Sequence, residues 1–423
     1  MECDRARCCS LYRILYPYGA KPGSYWAHGF SGVISIMASS IYFDHAATTP
    51  CDLRVRQVLL DVLDHENGNP HSTTHEAGMR AADRVAHARN QVASLIGADA
   101  KEIIFTSGAT EANNLAIKGA VRHLAAQGSP RKRVITVATE HKCVLESVRN
   151  LAQEGFEPVV LPVDANGLLD PSVLQEALKV PTALVSIMAA NNETGVLQDM
   201  PVLSALVNEA GALLHSDLAQ AAGKIPVDVR AWGLALASVS SHKLYGPKGA
   251  GALFVRRRPR VRLVPLFSGG GQERGVRSGT VPGFLVAAFG EACQIVKQEM
   301  DAGFEHLSML QRVFLNKLNA VLPGCEVNAV AAPRLPGIFN LRLPVGVSAL
   351  DVVAVMPDLA VSLGSACSSA ELAPSYVLEA MGLRREEAGR SLRLSPGRFT
   401  SAAEAERAAE NLAQAVLRVR SVT

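Results

Sequence analysis

From residue 102 onward, the sequence alternates short apolar runs rich in β-branched residues with amphipathic stretches of helical period. Strands that alternate with helices in this way form a mainly parallel sheet, because each helix carries the chain back across one face. We therefore predict an α/β fold with helices on both faces of the sheet, preceded by a long amphipathic helix over 76–96. The predicted strands are Glu102–Thr106, Arg133–Ala138, Pro158–Pro162, Leu184–Met188, Leu213–Ser216, Leu236–Ser240 and Ala252–Val255.

The pattern changes after the glycine-rich segment Ser268–Gly271. Long helices, at roughly 283–321 and 402–420, then surround a few strands such as Ile338–Leu341 and Ser391–Leu394, which is typical of an α+β domain. We predict three parts: a leader at 1–40, a large domain at 53–300, and a smaller domain made of 41–52 and 301–423.

Composition and charge argue against several classes of protein. The chain is 48% hydrophobic and 19% charged, as in folded proteins with a large core. Its net charge is only +3, and the basic run Arg256–Arg262 contains no aromatic residue, so we expect no nucleic-acid partner. No run of about 18 apolar residues predicts a membrane span. The eight cysteines form no C-x-x-C pair, which argues against a disulfide framework or a resident metal and indicates a reducing compartment.

Residues 1–40 differ from the rest of the chain. Basic residues (Arg5, Arg7, Arg13 and Lys21) outnumber acidic ones, and no helical period is evident, so the segment is similar to an organelle transit peptide. This favours a mitochondrial or mitochondrion-related location. The alternative is that Met37 is the true start and that the protein is cytoplasmic.

Lys243 carries the first indication of chemistry. It ends the segment Ser240–Lys243 and follows Asp217, which closes an apolar run about 25 residues earlier. A lysine that holds pyridoxal 5'-phosphate (PLP) as a Schiff base needs a carboxylate to keep the pyridine nitrogen protonated, and Asp217 can supply it. The alternative is a polar loop at Lys243 and a helix cap at Asp217.

The segment Thr106–Glu111 follows a predicted strand and begins a helix. Its backbone N–H groups, around Ala109, and the Thr110 hydroxyl can therefore bind a phosphate at the positive end of the helix. An ordinary helix cap is the alternative. Because ligands bind at the carboxyl ends of strands in open α/β sheets, one site shared with Lys243 and Asp217 accounts for all three.

Two further polar residues follow strands. His141 could stack on the pyridine ring and move protons, and Asn192 could bind a ring hydroxyl or a substrate carboxylate. The alternatives are a structural histidine and an asparagine-rich turn.

Cys367 lies in Gly364–Ala370, a run of small residues that predicts a loop with an accessible thiol. Such a thiol can act as a nucleophile, whereas structural cysteines are buried among larger apolar residues. Arg393 offers a bidentate clamp for a carboxylate, and an ordinary surface arginine is the alternative.

Taken together, these motifs resemble the cysteine desulfurases, a family of class V PLP enzymes, and most closely the mitochondrial and bacterial housekeeping branch. The resemblance runs from about residue 41 to 420 and includes Tyr42–Pro50, Gly68–Ser72 and Gly271–Gly275. It implies the type I fold of PLP-dependent transferases. Ser241 departs from the Gly or Ala usual at its position.

The resemblance also implies roles for individual residues. Lys243 would hold PLP, Asp217 its ring nitrogen and Gln220 its ring oxygen, and His141 would stack on the ring. The phosphate would be bound by Ala109, Thr110, Ser240 and His242, with Thr280 reaching the cofactor of a partner subunit in a homodimer. Asn192 and Arg393 would orient the substrate carboxylate, with Asn192 also near the cofactor.

The implied reaction converts L-cysteine to L-alanine and leaves a persulfide on Cys367 in the small domain. An iron–sulfur scaffold protein would accept the sulfur, Cys367 could transiently ligate the cluster there, and a small activator subunit could take part. The rivals are a selenocysteine lyase, a PLP aminotransferase, and a scaffold that has kept the fold without catalysis.

Overall fold

A seven-stranded sheet forms the centre of the protein, with strand order β2-β8-β7-β6-β5-β3-β4. The computed structural model describes residues 40–364 and 374–422. The strands of this sheet are β2 (Ile103–Thr106), β3 (Arg133–Val137), β4 (Glu157–Leu161), β5 (Thr182–Ser186), β6 (Leu213–Asp217), β7 (Leu236–Ser240) and β8 (Gly251–Val255). The predicted strands are thus all present, with ends that differ by at most two residues.

Strand β8 is antiparallel to both of its neighbours, and the other pairs of neighbouring strands are parallel. The mainly parallel α/β sheet is therefore confirmed. One correction concerns β5, predicted at Leu184–Met188. It pairs with β3 from Arg133↔Thr182 to Thr136↔Ser186, so it begins and ends two residues earlier.

Side chains alternate between the two faces of this sheet, as the pleat of a strand requires. In β2, Ile103 and Phe105 pack in one buried cluster while Ile104 packs in the other, and in β3 Ile135 and Val134 are divided in the same way. Both faces are therefore covered, which explains the nearly continuous apolar strands.

Helices flank the sheet throughout. The predicted helix at 76–96 spans Glu76–Leu95, with Val85, Ala88, Val92 and Leu95 buried. The helices are α1 (Leu53–His65), α2 (Glu76–Leu95), α3 (Ala109–Ala126), α4 (Lys142–Asn150), α5 (Pro171–Ala177), α6 (Met200–Glu209), α7 (Gly283–Gln298), α8 (Met300–Val321), α9 (Ala349–Ala354), α10 (Tyr376–Ala380), α11 (Arg385–Gly389) and α12 (Ala402–Val422).

The region after residue 300 is built around a second, three-stranded sheet. Its order is β12 (Ser391–Leu394), β10 (Phe339–Arg342) and β9 (Glu326–Val327), all antiparallel. Helix α8 packs against α12. The predicted helical region 283–321 is divided at Glu299 into α7 and α8. Two short strands complete the set, β1 (Ile41–Tyr42) and β11 (Leu359–Ala360).

Within residues 40–364 and 374–422, no helix is long and apolar enough to cross a membrane. The same ranges contain no group of three or more side chains that could hold a metal ion.

Candidate active site

A cavity of about 360 Å³ opens at the carboxyl ends of the parallel strands. Ten of the residues predicted from the sequence line it: Ala109, Thr110, His141, Asn192, Asp217, Gln220, Ser240, His242, Lys243 and Arg393. Two predicted residues are not among them. Thr280 is exposed, and Cys367 lies outside the described residues.

Strand register places the phosphate loop next to the lysine turn. Gly251 of β8 pairs with Thr106 on one side and with Ser240 on the other, so the ends of β2 and β7 lie close together. A Cβ at Gly251 would lie 2.6 Å from Gly108 Cα. Glycine at 251 is therefore required for this close approach of two backbones.

Lys243 ends a short 3₁₀ turn, Ser241–Lys243, directly after β7. Its Nζ donates hydrogen bonds to the carbonyl oxygens of Ala46, at 2.5 Å, and Ala47, at 2.7 Å. The same segment is tied to the turn at Thr49, whose N–H donates to His242 O at 3.0 Å. The sequence suggested no role for these two carbonyls, because a backbone acceptor has no side-chain signature.

Asp217 ends β6 and is almost fully buried. Its Oδ1 accepts from Ala219 N at 2.9 Å and its Oδ2 from Asn113 Nδ2 at 2.7 Å. Two hydrogen bonds therefore hold the carboxylate in one orientation. Asn113 lies inside α3 and is completely buried. Sequence reasoning missed it, although a polar residue on the buried face of a helix was a signal that could have found it.

Glu140 lies close to Asp217 and is also completely buried. Burial, followed by the charge of Asp217, raises the pKa of Glu140 well above its usual value. Its Oε1 accepts from Met188 N at 2.5 Å. Burial and the neighbouring carboxyl group therefore both favour the protonated form of Glu140.

The start of α3 is suited to an anion. Gly108 caps the helix without a side-chain hydrogen bond, so the first N–H groups of the helix are available to a ligand. A Cβ at Gly108 would have only Ser240 Oγ nearby, at 4.0 Å, which leaves room between them. Ser240 Oγ is buried, and it has no hydrogen-bond partner among the described residues. A phosphate group would satisfy both sets of donors.

The two histidines of the cavity have different partners. Burial, with Lys243 and other lysines nearby, lowers the pKa of His242 to about 4, so this imidazole is neutral at pH 7. It lies 3.1 Å from Thr48 Oγ1. His141 caps α4, its Nδ1 accepting from Cys143 N at 3.2 Å. Accepting through Nδ1 places a proton on Nε2 of the neutral ring.

Arg393 is fully buried in β12, which rules out the interpretation as a surface arginine. Its guanidinium donates to Asp44 Oδ1 at 2.7 Å and to Asn192 O at 3.1 Å. Its Nε and the Oδ1 of Asn192 are buried and form no hydrogen bonds within the described ranges. These two groups are therefore available to a polar ligand, and the pairing of Arg393 with Asp44 was missed by the sequence reasoning.

This arrangement fits PLP. The start of α3 and Ser240 can take its phosphate, Asp217 its ring nitrogen, and Lys243 its aldehyde carbon. Arg393 can then bind the carboxylate of an amino acid in the same cavity.

Comparison with known proteins agrees with this site. The chain matches the class-V aminotransferase family over residues 41–407. It is 48% identical over 390 residues to the protein named cysteine desulfurase, mitochondrial, of Arabidopsis thaliana, covering 92% of this chain and 85% of that one. The chain belongs to the cysteine desulfurase family. The cysteine desulfurase IscS of Rickettsia bellii is 46% identical over 383 residues, which is 90% of this chain and 92% of the relative.

Solved structures of cysteine desulfurase relatives have the same fold. A NifS-like protein superimposes with a TM-score of 0.81 at 31% identity, covering 89% of this chain and 98% of that one. A NifS-like protein from Rickettsia africae gives a TM-score of 0.78 at 30% identity, covering 90% and 99%. The predicted family and type I fold are confirmed, and members of this family depend on PLP.

Proposed function

We propose that this protein is a PLP-dependent cysteine desulfurase that converts L-cysteine to L-alanine and supplies sulfur for iron–sulfur cluster assembly. The observation that carries the proposal is a single cavity lined by Lys243, Asp217 and Arg393. These residues supply a cofactor lysine, a partner for the ring nitrogen and a clamp for the substrate carboxylate. The names of the relatives support the choice of L-cysteine.

When bound, PLP withdraws electrons from the amino acid and weakens the bonds at its Cα and Cβ. Asp217, held by Asn113 and Ala219, keeps the ring nitrogen protonated. Arg393 and Asn192 fix the substrate carboxylate, with Asp44 keeping the guanidinium in place. Lys243 Nζ takes the proton from Cα of the substrate, and His141 assists proton movement from beside the ring.

Cys367 takes the sulfur from the substrate. Its thiolate attacks the substrate sulfur, so that an S–S bond forms while the Cβ–S bond breaks. The electron pair of the broken bond stays on the substrate carbon, which takes up a proton to give alanine. The products are alanine and a persulfide on Cys367, which a nucleophile on an acceptor protein can remove. No outside oxidant is needed.

The wider assembly is part of the same proposal. We propose a homodimer in which Thr280 reaches the cofactor phosphate of the partner subunit, consistent with its exposure in one chain. The sulfur acceptor is an iron–sulfur scaffold protein, helped by a small activator subunit, and Cys367 transiently ligates the cluster. The large domain comprises 53–300, and 41–52 with 301–423 form the small domain.

For the location we propose a mitochondrion or related organelle, since a relative at 48% identity is named mitochondrial. Residues 1–40 would act as the leader. Fusing them to a fluorescent reporter tests this, and a diffuse cytosolic signal would favour the cytoplasmic alternative with a start at Met37.

The enzyme assay measures sulfide and alanine released from L-cysteine by the PLP-loaded protein, with a thiol reductant present. Equal amounts of both products are expected, and both should be lost in Lys243→Ala and Cys367→Ala. Alanine formation that persists in Cys367→Ala would instead indicate a lyase, and 2-oxo acid formation would indicate an aminotransferase. Selenocysteine, tested in parallel, separates the selenocysteine lyase alternative, which predicts activity on selenocysteine but not on cysteine.

A further inference from the structure

Lys224 has no role in the reaction described above, yet its side chain is hydrogen-bonded to Gln220, a residue that lines the cofactor cavity. It follows β6 on a helical turn, in which Ala222 N donates to Leu218 O at 2.9 Å and Lys224 N donates to Ala221 O at 3.0 Å. Residues four apart on such a turn lie on the same side. Lys224 Nζ accordingly donates to Gln220 Oε1 at 2.5 Å.

The surroundings of Lys224 are unfavourable for a cation. Its side chain lines a cavity of about 60 Å³ behind Lys243, whose walls include Leu244, Leu335 and Met300. Burial, followed by the charges of Lys243 and Arg393, lowers the pKa of Lys224 to about 7. Among the described residues, the other ionisable groups near it include His45, His242, Glu299, Tyr245 and Arg398. A lysine placed beside other cations is destabilising unless it has a specific partner, and Gln220 is that partner.

The hydrogen bond from Lys224 determines how the amide of Gln220 is oriented. In its ammonium form Lys224 has three donors and no acceptor, so this form binds only the oxygen end of the amide. The nitrogen end then points the other way, and Nε2 donates to Ala46 O at 2.9 Å. That same carbonyl accepts from Lys243 Nζ at 2.5 Å. A continuous chain of hydrogen bonds therefore connects Lys224 with the reactive lysine.

The amide nitrogen of Gln220 carries two N–H groups, and Ala46 takes one of them. Gln220 lines the main cavity, where the second N–H can donate to a ligand. We propose that Lys224 is a positioning residue, which holds Gln220 so that its Nε2 presents a donor to the oxygen anion on the cofactor ring. This inference rests on the proposed function, because it requires PLP in the cavity.

A double-mutant cycle on the affinity of the apoprotein for PLP tests the inference, with Lys224→Met, Gln220→Met and the double variant. We expect each single change to raise the PLP dissociation constant about tenfold, as for one lost hydrogen bond. The double variant should bind no more weakly than Gln220→Met alone, because Lys224 acts through that amide. Lys224→Arg, which keeps the donor, should bind within about threefold of the wild type.

The absorption spectrum of the bound cofactor gives a second readout, which a purely structural lysine would not change. Its maximum should move to the same wavelength in Lys224→Met as in Gln220→Met. Lys179→Met, at an exposed ion pair with Glu176, is the matched control and should match the wild type in both measurements. If Lys224→Met does not fold, Lys224→Gln, whose shorter side chain cannot reach Gln220 Oε1, takes its place in the cycle.

Two results would overturn the inference, provided that the wild type binds PLP. One is that the losses of PLP affinity of the two single variants add in the double variant, and the other is that Lys224→Met binds PLP as tightly as the wild type. If instead the wild-type apoprotein forms no yellow complex through Lys243, the proposed function fails and this inference fails with it. The two failures are therefore distinguishable in one experiment.

Discussion

Replacing Asn113 by alanine tests whether a residue that never touches the substrate sets the strength of the cofactor site. The change removes the amide that donates to Asp217 Oδ2 at 2.7 Å. A hydrogen bond to a charged group is worth about 1.5–3 kcal/mol, which corresponds to a factor of about 10 to 150 in affinity. Because the bond is already present in the protein without cofactor, only its orienting effect contributes to binding. We therefore expect an effect at the small end of this range, with a PLP dissociation constant about tenfold above that of the wild type.

The measurement is a titration of the apoprotein with PLP, followed by absorbance. Asn114→Ala is the matched control, because Asn114 lies on the same helix and its amide donates to Thr110 O, at 2.9 Å, rather than to Asp217. Asn113→Asp is a further variant that places a second carboxylate against Asp217. Its loss of affinity for PLP should be larger than that of Asn113→Ala. The loss should become smaller as the pH falls, since one of two adjacent carboxyl groups then takes up a proton. Wild-type affinity in Asn113→Ala, or an equal loss in Asn114→Ala, would refute the reasoning.

Three other results are expected. Gly251→Ala should weaken PLP binding at least tenfold, because its Cβ would lie 2.6 Å from Gly108 Cα. Gly283→Ala is the control and should bind PLP normally, since no described atom beyond its own helix and chain neighbours lies within 4 Å of the new Cβ. Arg393→Lys should raise KM for L-cysteine about 100-fold and leave the cofactor spectrum unchanged, since lysine cannot make the bidentate contact with the substrate carboxylate. A fall in kcat alone would contradict this. Burial lowers the pKa of His45 to about 4 and that of His215 to about 3. As the pH falls, these two histidines are therefore protonated in the unfolded chain before they are protonated in the folded protein. The urea concentration at the midpoint of unfolding should therefore fall as the pH drops from about 6.5 toward 4. His215→Asn should make this fall smaller. A midpoint that is constant over this pH range would contradict the lowered pKa values.

The sequence was sufficient to predict the parts of this protein that have a repeating pattern or a side-chain motif. Apolar runs of strand length located the sheet, and polar residues after them located the cavity, because carboxyl ends of parallel strands meet at one edge. Thr110, Asp217 and Lys243 line the cavity, as this pattern predicts. The break at Glu299 within the predicted helical region 283–321 was not, since no glycine or proline marks it.

What could not be predicted depends on contacts between distant segments. The acceptors for Lys243 are backbone carbonyls nearly 200 residues away in sequence. Asp44 and Arg393 are separated by 349 positions and pair only once β12 is in place. The role of Asn113 depends on which face of α3 meets the end of β6. Neither local propensity nor residue spacing contains that information.

The stretch from Asp44 to Thr49 has a consequence for how the protein is synthesised. It accepts hydrogen bonds from Lys243 and Arg393, and His45 N donates to Ser395 O at 3.0 Å. A nascent chain therefore carries one wall of its catalytic centre from the beginning, but that wall meets Lys243 only after more than half of the polypeptide has been made, and Arg393 only in the last tenth. A chain that ends before Arg393 contains all seven strands of the central sheet but lacks the side chain that pairs with Asp44. We expect the part of the cavity that holds PLP to form before the part that holds the substrate carboxylate, which makes full-length synthesis a checkpoint before any sulfur is mobilised.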